Sequence, residues 1–207
     1  MRILIACESS GEVREAFRRL GHDAWSCDLL PPDDGSINHY EGDALRVAKS
    51  SHWDMMIAHP PCTYLCNSGV RWLYRSDGTR DDDRYHKMMK AAHFFMDLYQ
   101  LPIPKIVIEN PIMHGHAKRA LAIPRQTQVI QPWHFGDEAF KATCLWIKGD
   151  LDPLDTHTYL RLDPPKPGTP EHKRWSAIHR APPGPDRWKV RSKTFPGIAS
   201  AMARTWG

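Results

Sequence analysis

The sequence has little that would tie it to a membrane, a disulfide scaffold or a metal. Its apolar runs, 3–7 and 55–58 among them, fall far short of the roughly 20 residues that a helical span needs. That excludes a membrane-spanning helix, and the opening MRILIAC is equally too short for a secretory leader. No membrane partner is expected, protein partners are left open, and the cytoplasm is the expected location. Five cysteines (Cys7, Cys27, Cys62, Cys66 and Cys144) are an odd and scattered set, which is no disulfide framework and suits a reducing compartment. Cys62 and Cys66 lie four apart without a second pair at zinc spacing, and the twelve histidines form no tight group with them, so no metal is expected. Glycine is sparse, 13 residues against 18 prolines. The first strand-to-helix connection, ESSG, lacks both the spaced glycine triplet of a dinucleotide fingerprint and the lysine of a phosphate-binding loop.

What is present is a globular composition, 41% hydrophobic and 25% charged over 207 residues, which suits one domain with at most a small appendage. The formal charge of +4 is uneven. Residues 166–193 hold eight Lys/Arg against Glu171 and Asp186, a net of +6, so the rest of the chain stands at −2. Such a segment is either a nucleic-acid contact surface or a solvated, proline-rich loop.

Short apolar runs alternate with helical patterns through the first half, which argues for a parallel sheet with crossover helices. RILIAC reads as a buried strand. Gly11 to Leu20 follows as a helix with Val13, Ala16, Phe17 and Leu20 on one face, and DAWSC is the second strand. DMMIA (54–58) and KIVIE (105–109) are further strands, separated by a helix from Asp81 to Tyr99. QTQVIQPWHFG and KATCLWIKG then read as two strands without a helical crossover, a hairpin-like pair. Residues 152–190 are too rich in proline for long helices or central strands, and FPGIASAMARTW closes the chain as a helix. The loop 67–80 is expected to be mobile, with Gly69 and Gly78 as hinges.

Open parallel sheets bind ligands beyond the carboxyl ends of their strands. Here those ends carry Glu8-Ser9-Ser10-Gly11, Asp28, His59-Pro60-Pro61-Cys62 and Glu109-Asn110-Pro111, so reactive and tightly turned residues share one rim. Backbone amides at the first helix start suit a carboxylate, and an acid such as Asp28 suits a ribose hydroxyl pair. Together they point to a nucleoside ligand bearing a carboxylate rather than a polyphosphate.

The ordered series ACESSGEVREAFRRLGHDAWSCDLLP, GDA (42–44), WDMMIAHPPC (53–62), IENP (108–111), HFGDEAFKATCLW (134–146) and SKTFPGIASAMA (192–203) resembles the cytosine-C5 DNA methyltransferase family, in its compact, phage-type form without a full target-recognition domain. The resemblance covers nearly the whole chain except 70–100 and 152–190. It implies an α/β fold of the class I methyltransferase (Rossmann-like) type, a mostly parallel sheet with helices on both faces and a hairpin-like strand pair in the C-terminal half. Residues 1–151 and 191–207 would form the catalytic domain, and 152–190 a minimal substrate-recognition segment. Cys62 would be the nucleophile that adds to C6 of cytosine, with Glu109 holding N3 and the exocyclic amine and Asn110 completing the Glu-Asn pair. The implied methyl donor is S-adenosylmethionine. Its carboxylate would lie near Glu8, Ser9, Ser10 and Gly11, its ribose near Asp28 and its adenine near Asp43, with Pro61 and Ser192 completing the pocket. The implied partner is DNA, as a single strand or with the cytosine flipped out; RNA or a free nucleotide stays open. His59, Pro60, Thr63 and Arg71 would face the substrate. From the basic segment Lys173, Arg174, Trp175, Arg187 and Trp188 would track and stack on a strand.

The sequence departs from the family pattern in several places. Thr63 follows the Pro-Cys pair where the family has glutamine. Ala139, Lys141 and Thr143 stand at the positions of its Gln-x-Arg-x-Arg motif, and Arg191-Ser192 replace its Gly-Asn. Lys141 is the candidate to supply the missing charge, though without an arginine's planar fork. Two other readings use the same residues. In one, His59-Pro60-Pro61 serves an exocyclic amino (N4/N6) methyltransferase; in the other, the chain is a catalytically degenerate nucleic-acid-binding relative.

Overall fold

The structure, a computed structural model, describes all residues except Arg71, Pro183, Pro185 and Asp186, and leaves the side chains of Ser68 and Val190 undescribed. Seven strands form one sheet: β1 (Arg2–Ala6), β2 (Asp23–Asp28), β3 (His39–Glu41), β4 (Met55–Ala58), β5 (Lys105–Pro111), β6 (Gln128–Ile130) and β7 (Thr143–Lys148). Nine described helices connect and cover them: α1 (Glu12–Arg19), α2 (Ala44–Ser50), α3 (Asn67–Val70), α4 (Asp82–Tyr99), α5 (Gly115–Ala120), α6 (Pro170–Trp175), α7 (Ala177–Arg180), α8 (Arg187–Ser192) and α9 (Pro196–Trp206). The strand order is β3-β2-β1-β4-β5-β7-β6. β1 to β5 run parallel to their neighbours, whereas β7 runs antiparallel to both β5 and β6.

Successive side chains of a strand point to opposite faces, and each face here has its own core. Ile3 and Ile5 of β1 join Met55, Ile57 and Val107 under α1 and α9. Leu4 and Ala6 join Met56, Ile106 and Ile108 under Met88, Ala92 and Phe95 of α4. Strands buried on both sides read as continuous apolar runs, which is why β1 and β4 stand out in the sequence. Two of the helices, α2 and α4, start where acidic caps accept backbone N–H groups. Asp43 accepts from Arg46 at 2.8 Å for α2, and Asp81 from Arg84 at 3.0 Å for α4. Arg14 of α1 is fully buried, with its guanidinium on Ser26 of β2 and on Asp34.

Within the loop 67–80 the chain is closely packed at Gly69. A Cβ at Gly69 would collide with the Thr63 backbone, Arg84 donates two hydrogen bonds to the Gly69 carbonyl, and Val70 and Leu73 are buried. Cys7, expected inside the first strand, instead forms the turn beyond it with φ of 60°. The segment 152–190 contains no long helix, but it is not bare loop either: α6, α7 and most of α8 lie within it. No described helix is long and apolar enough to cross a membrane.

Candidate active site

The order of the sheet sets where a crevice opens. From β1 the chain builds outward through β2 and β3, then returns to the other side of β1 with β4, and ligand crevices form beyond the carboxyl ends at such a switch. Glu8 follows β1 and His59 follows β4, and the His59 N–H still donates to the Ala6 carbonyl at 2.9 Å. One strand further on stand Glu109 and Asn110 of β5. Because β7 runs antiparallel, its first residue Thr143 lies opposite Pro111. The reversal brings the segment 139–143 to the same rim.

Asn110 is buried and its Nδ2 donates to the Pro60 carbonyl at 2.9 Å. That bond and the two prolines, which fix φ, hold the turn carrying Cys62. From Cys62 the chain enters a helical turn in which Leu65 and Cys66 both donate to its carbonyl at 3.0 Å. Glu109 is buried, and His59 Nδ1 lies 3.1 Å from its Oε2. Burial alone would raise the Glu109 carboxyl. The His59 hydrogen bond, the charge of Lys141 and the Thr143 hydroxyl outweigh it and hold Glu109 below the ordinary range. The Cys62 thiol is pushed up instead, by its hydrogen bond with Cys66 and by burial, with Glu109 adding repulsion; Lys141 opposes them. Lys141 itself is half-buried and donates to the carbonyls of Lys193 at 3.0 Å and Ser192 at 3.5 Å.

Two buried polar atoms of this cluster, His59 Nε2 and Asn110 Oδ1, have no partner in the protein. A buried polar group left unpaired costs about 1–3 kcal/mol. Both belong to residues at the strand-end crevice, where a polar ligand would pair them.

The β1–β3 side is organised differently. The carboxyl of Glu8 accepts from the N–H groups of Val13 at 2.8 Å and Arg14 at 3.3 Å, so the α1 amides are filled from within the chain. Burial raises the Glu8 carboxyl despite those bonds and His59. Gly11 has φ of +74°, and a Cβ there would collide with the Arg14 guanidinium, so its glycine is required by internal packing. Ser9 and Ser10 are partly exposed, and the Ser10 hydroxyl is 3.4 Å from Glu8. Asp28 is partly buried and accepts from the Leu30 N–H at 3.0 Å. With the exposed cap Asp43 it raises the thiols of Cys7 and Cys27, after burial, the latter to about 12.

The remaining sequence candidates are divided. Pro60 is buried within the turn, while Pro61 and Thr63 are exposed beside Cys62. Ser192 is exposed at the end of α8 and lies against Lys141. Trp175, expected to stack on a nucleic-acid strand, is 3% exposed and packs its ring 5.5 Å from that of Phe140. A buried ring offers no stacking face, so that expectation is corrected: Trp175 is an anchor. Trp188 is 50% exposed and carries the Lys189 ammonium over its ring. Arg174 pairs with Glu138 at 2.9 Å, Lys173 is exposed, and Arg187 is partly buried. Arg71 lies outside the described residues. Sequence reasoning gave no role to Cys66, although its spacing of four from Cys62 was a usable signal, nor to Phe140.

No family model matches the sequence, and no curated protein matches it. Solved structures do match. One is a protein assigned as a DNA modification methyltransferase encoded within an E. coli prophage, 16% identical, with a TM-score of 0.43 over 78% of this chain and 51% of that one. Another is the Entamoeba histolytica methyltransferase EhMeth, 12% identical, with a TM-score of 0.48 over 78% and 56%. A third is the S. pombe Dnmt2 methyltransferase, 12% identical, with a TM-score of 0.40 over 74% and 51%. The chain spans about half the length of these structures. Its strand order and reversed β7 are those of the class I methyltransferase fold.

Proposed function

We propose that the protein is a methyltransferase that acts on C5 of cytosine, with DNA as substrate and S-adenosylmethionine as methyl donor. The observation that carries this reading is the seat of Cys62, a thiol held by two prolines and the Asn110–Pro60 hydrogen bond beside a buried Glu109 kept ionised. C5 of cytosine is a poor nucleophile until sulfur adds at C6 and makes it enamine-like. Cys62 supplies that sulfur, and Glu109 accepts from the exocyclic amine. Lys141 faces both groups and favours the thiolate against the burial that keeps the resting thiol protonated. After transfer a base takes the C5 hydrogen and the thiol leaves.

The β1–β3 rim fits the methyl donor in kind. The Asp28 carboxylate suits ribose hydroxyls, Ser9 and Ser10 suit an amino-acid tail, and Asp43 would accept from an exocyclic amine. When bound, the donor supplies an electrophilic methyl group. Because Glu8 already fills the α1 amides, the donor's carboxylate must be held by the Ser9–Gly11 turn rather than by the helix start.

Trapping on DNA that contains 5-fluorocytosine tests the reading, since fluorine cannot leave as a proton does. Wild type with labelled donor should give a denaturation-resistant protein–DNA adduct, and Cys62→Ser should give none. Label reaching DNA without an adduct in wild type would point instead to transfer onto an exocyclic amine. Binding with neither adduct nor label would leave a nucleic-acid-binding protein.

A further inference from the structure

His59 lies between two buried carboxylates, and its pairing with one of them locates a proton. The ring is 9% exposed. Nδ1 is 3.1 Å from Glu109 Oε2, Nε2 is buried without a partner, and Glu8 beyond β1 feels the ring's charge. An ionised carboxylate only accepts, and Glu109 is held ionised, so the hydrogen of the 3.1 Å bond sits on Nδ1. This arrangement suits only half of a cytosine edge. The lone pairs of Glu109 match the N4 amine but meet another lone pair at N3, the atom on which charge develops as sulfur adds at C6.

We infer that His59 is a positioning residue that stores a proton and delivers it through Glu109 to N3 of the cytosine; the inference rests on the function proposed above. The store requires hydrogen on both ring nitrogens before the substrate binds. Glu109 of β5 and Glu8 beyond β1 face the ring, while Lys141, ahead of β7, faces Glu109 and Cys62. As the Cys62 S–C6 bond forms, the C5=C6 pair moves to C4–C5 and the C4=N3 pair moves onto N3. N3 takes a proton from the Glu109 carboxyl, which takes the one on Nδ1. His59 becomes neutral with its hydrogen on Nε2, and the thiol proton leaves to water. When C5 later loses its hydrogen and the S–C6 bond breaks, N3 returns its proton by the same path and the sulfur regains one from water. The net proton released is the one from C5.

Tritium release from C5-labelled cytosine in DNA tests this, because it requires sulfur addition at C6. His59→Gln keeps an N–H donor toward Glu109 but has no proton to give. At neutral pH it should release tritium about a hundredfold more slowly than wild type, in the range of general acid–base catalysis. The deficit should shrink toward acid pH, where water supplies the N3 proton. Nitrogen-15 spectra of the histidine rings should show His59 doubly protonated at neutral pH in wild type and singly protonated in Glu109→Gln. Full activity in His59→Gln, a deficit that ignores pH, or a singly protonated His59 in wild type would overturn this inference and leave the C5 reading standing. No release by wild type from DNA, RNA or free nucleotides would sink the C5 reading and this role with it, and the ring spectra, which need no substrate, would still report where the proton sits.

Discussion

Glu8 and Glu109 are both buried carboxylates at the carboxyl edge of the sheet, on either side of His59, and their surroundings push them in opposite directions. The difference lies in what each half of the rim does with its polar atoms. On the β1–β3 half the acids serve the backbone: Glu8 holds two amides of α1, Asp28 holds that of Leu30, and Asp43 caps α2. On the β4–β5–β7 half, polar side chains meet one another and two atoms are left over, His59 Nε2 and Asn110 Oδ1. Strand-end acids are therefore weak markers of a ligand until their backbone duties are counted. Buried atoms with no duty are stronger ones.

Removing the prop under the β7 side should have the largest effect. Phe140 leans on Trp175 and donates its N–H to the Trp175 carbonyl at 3.0 Å, steadying the segment that brings Lys141 and Thr143 to the rim. Trp175→Ala should cost about 3–5 kcal/mol, the range for large aromatic truncations in cores, and should lower adduct formation as well. Trp188→Ala, at an exposed ring, should leave thermal and urea midpoints within error and weaken only nucleic-acid binding. Equal stability of the two variants would refute the anchor role.

Asn110→Ala comes next. It strips the Pro60 carbonyl of its donor, and a buried acceptor left unpaired costs about 1–3 kcal/mol. Trapping should slow because the Cys62 turn loosens, while affinity for the methyl donor should hold. Asp43→Ala is its counterpart on the other half. Loss of an N-cap costs about 1 kcal/mol, and if capping is its whole duty the KM for the donor will not move. A large rise in that KM would return Asp43 to the ligand side of the comparison.

The sequence showed the frame of the sheet more clearly than the duties within it. β1, β4 and β5 were legible because strands covered on both faces must be apolar throughout, and the β6–β7 reversal because no helical pattern separates the two runs. β3 escaped notice: HYE is three residues long and polar, and pairs only because β2 offers it an edge. The rim cluster of Cys62, Glu109 and Asn110 could be placed from strand ends alone. Trp175 was misread because a tryptophan among lysines and arginines looks solvent-facing, and only Phe140, 35 positions earlier in the chain, shows what covers it. Glu8 looked like a ligand because its bonds to Val13 and Arg14 depend on the chain doubling back at Gly11, which no periodicity reports.

The finest contrast is one of sign with pH. A buried acid whose pKa is raised binds more protons in the native than in the unfolded state, so stability falls as pH climbs from the ordinary glutamate value through the raised one. Glu8 is in that position, because burial outweighs its two amide bonds. Glu109 is the reverse: its contribution is present above the ordinary glutamate value and is lost as pH falls through its lowered pKa. Urea unfolding of wild type, Glu8→Gln and Glu109→Gln from about pH 4 to pH 7 separates them. Relative to wild type, Glu8→Gln should become more stable as pH rises, while Glu109→Gln should become less stable as pH rises from the acid end toward the ordinary glutamate value. If both differences ran in the same direction, the two carboxylates would share one environment, and the division of the rim into a backbone-serving half and a ligand-facing half would fail.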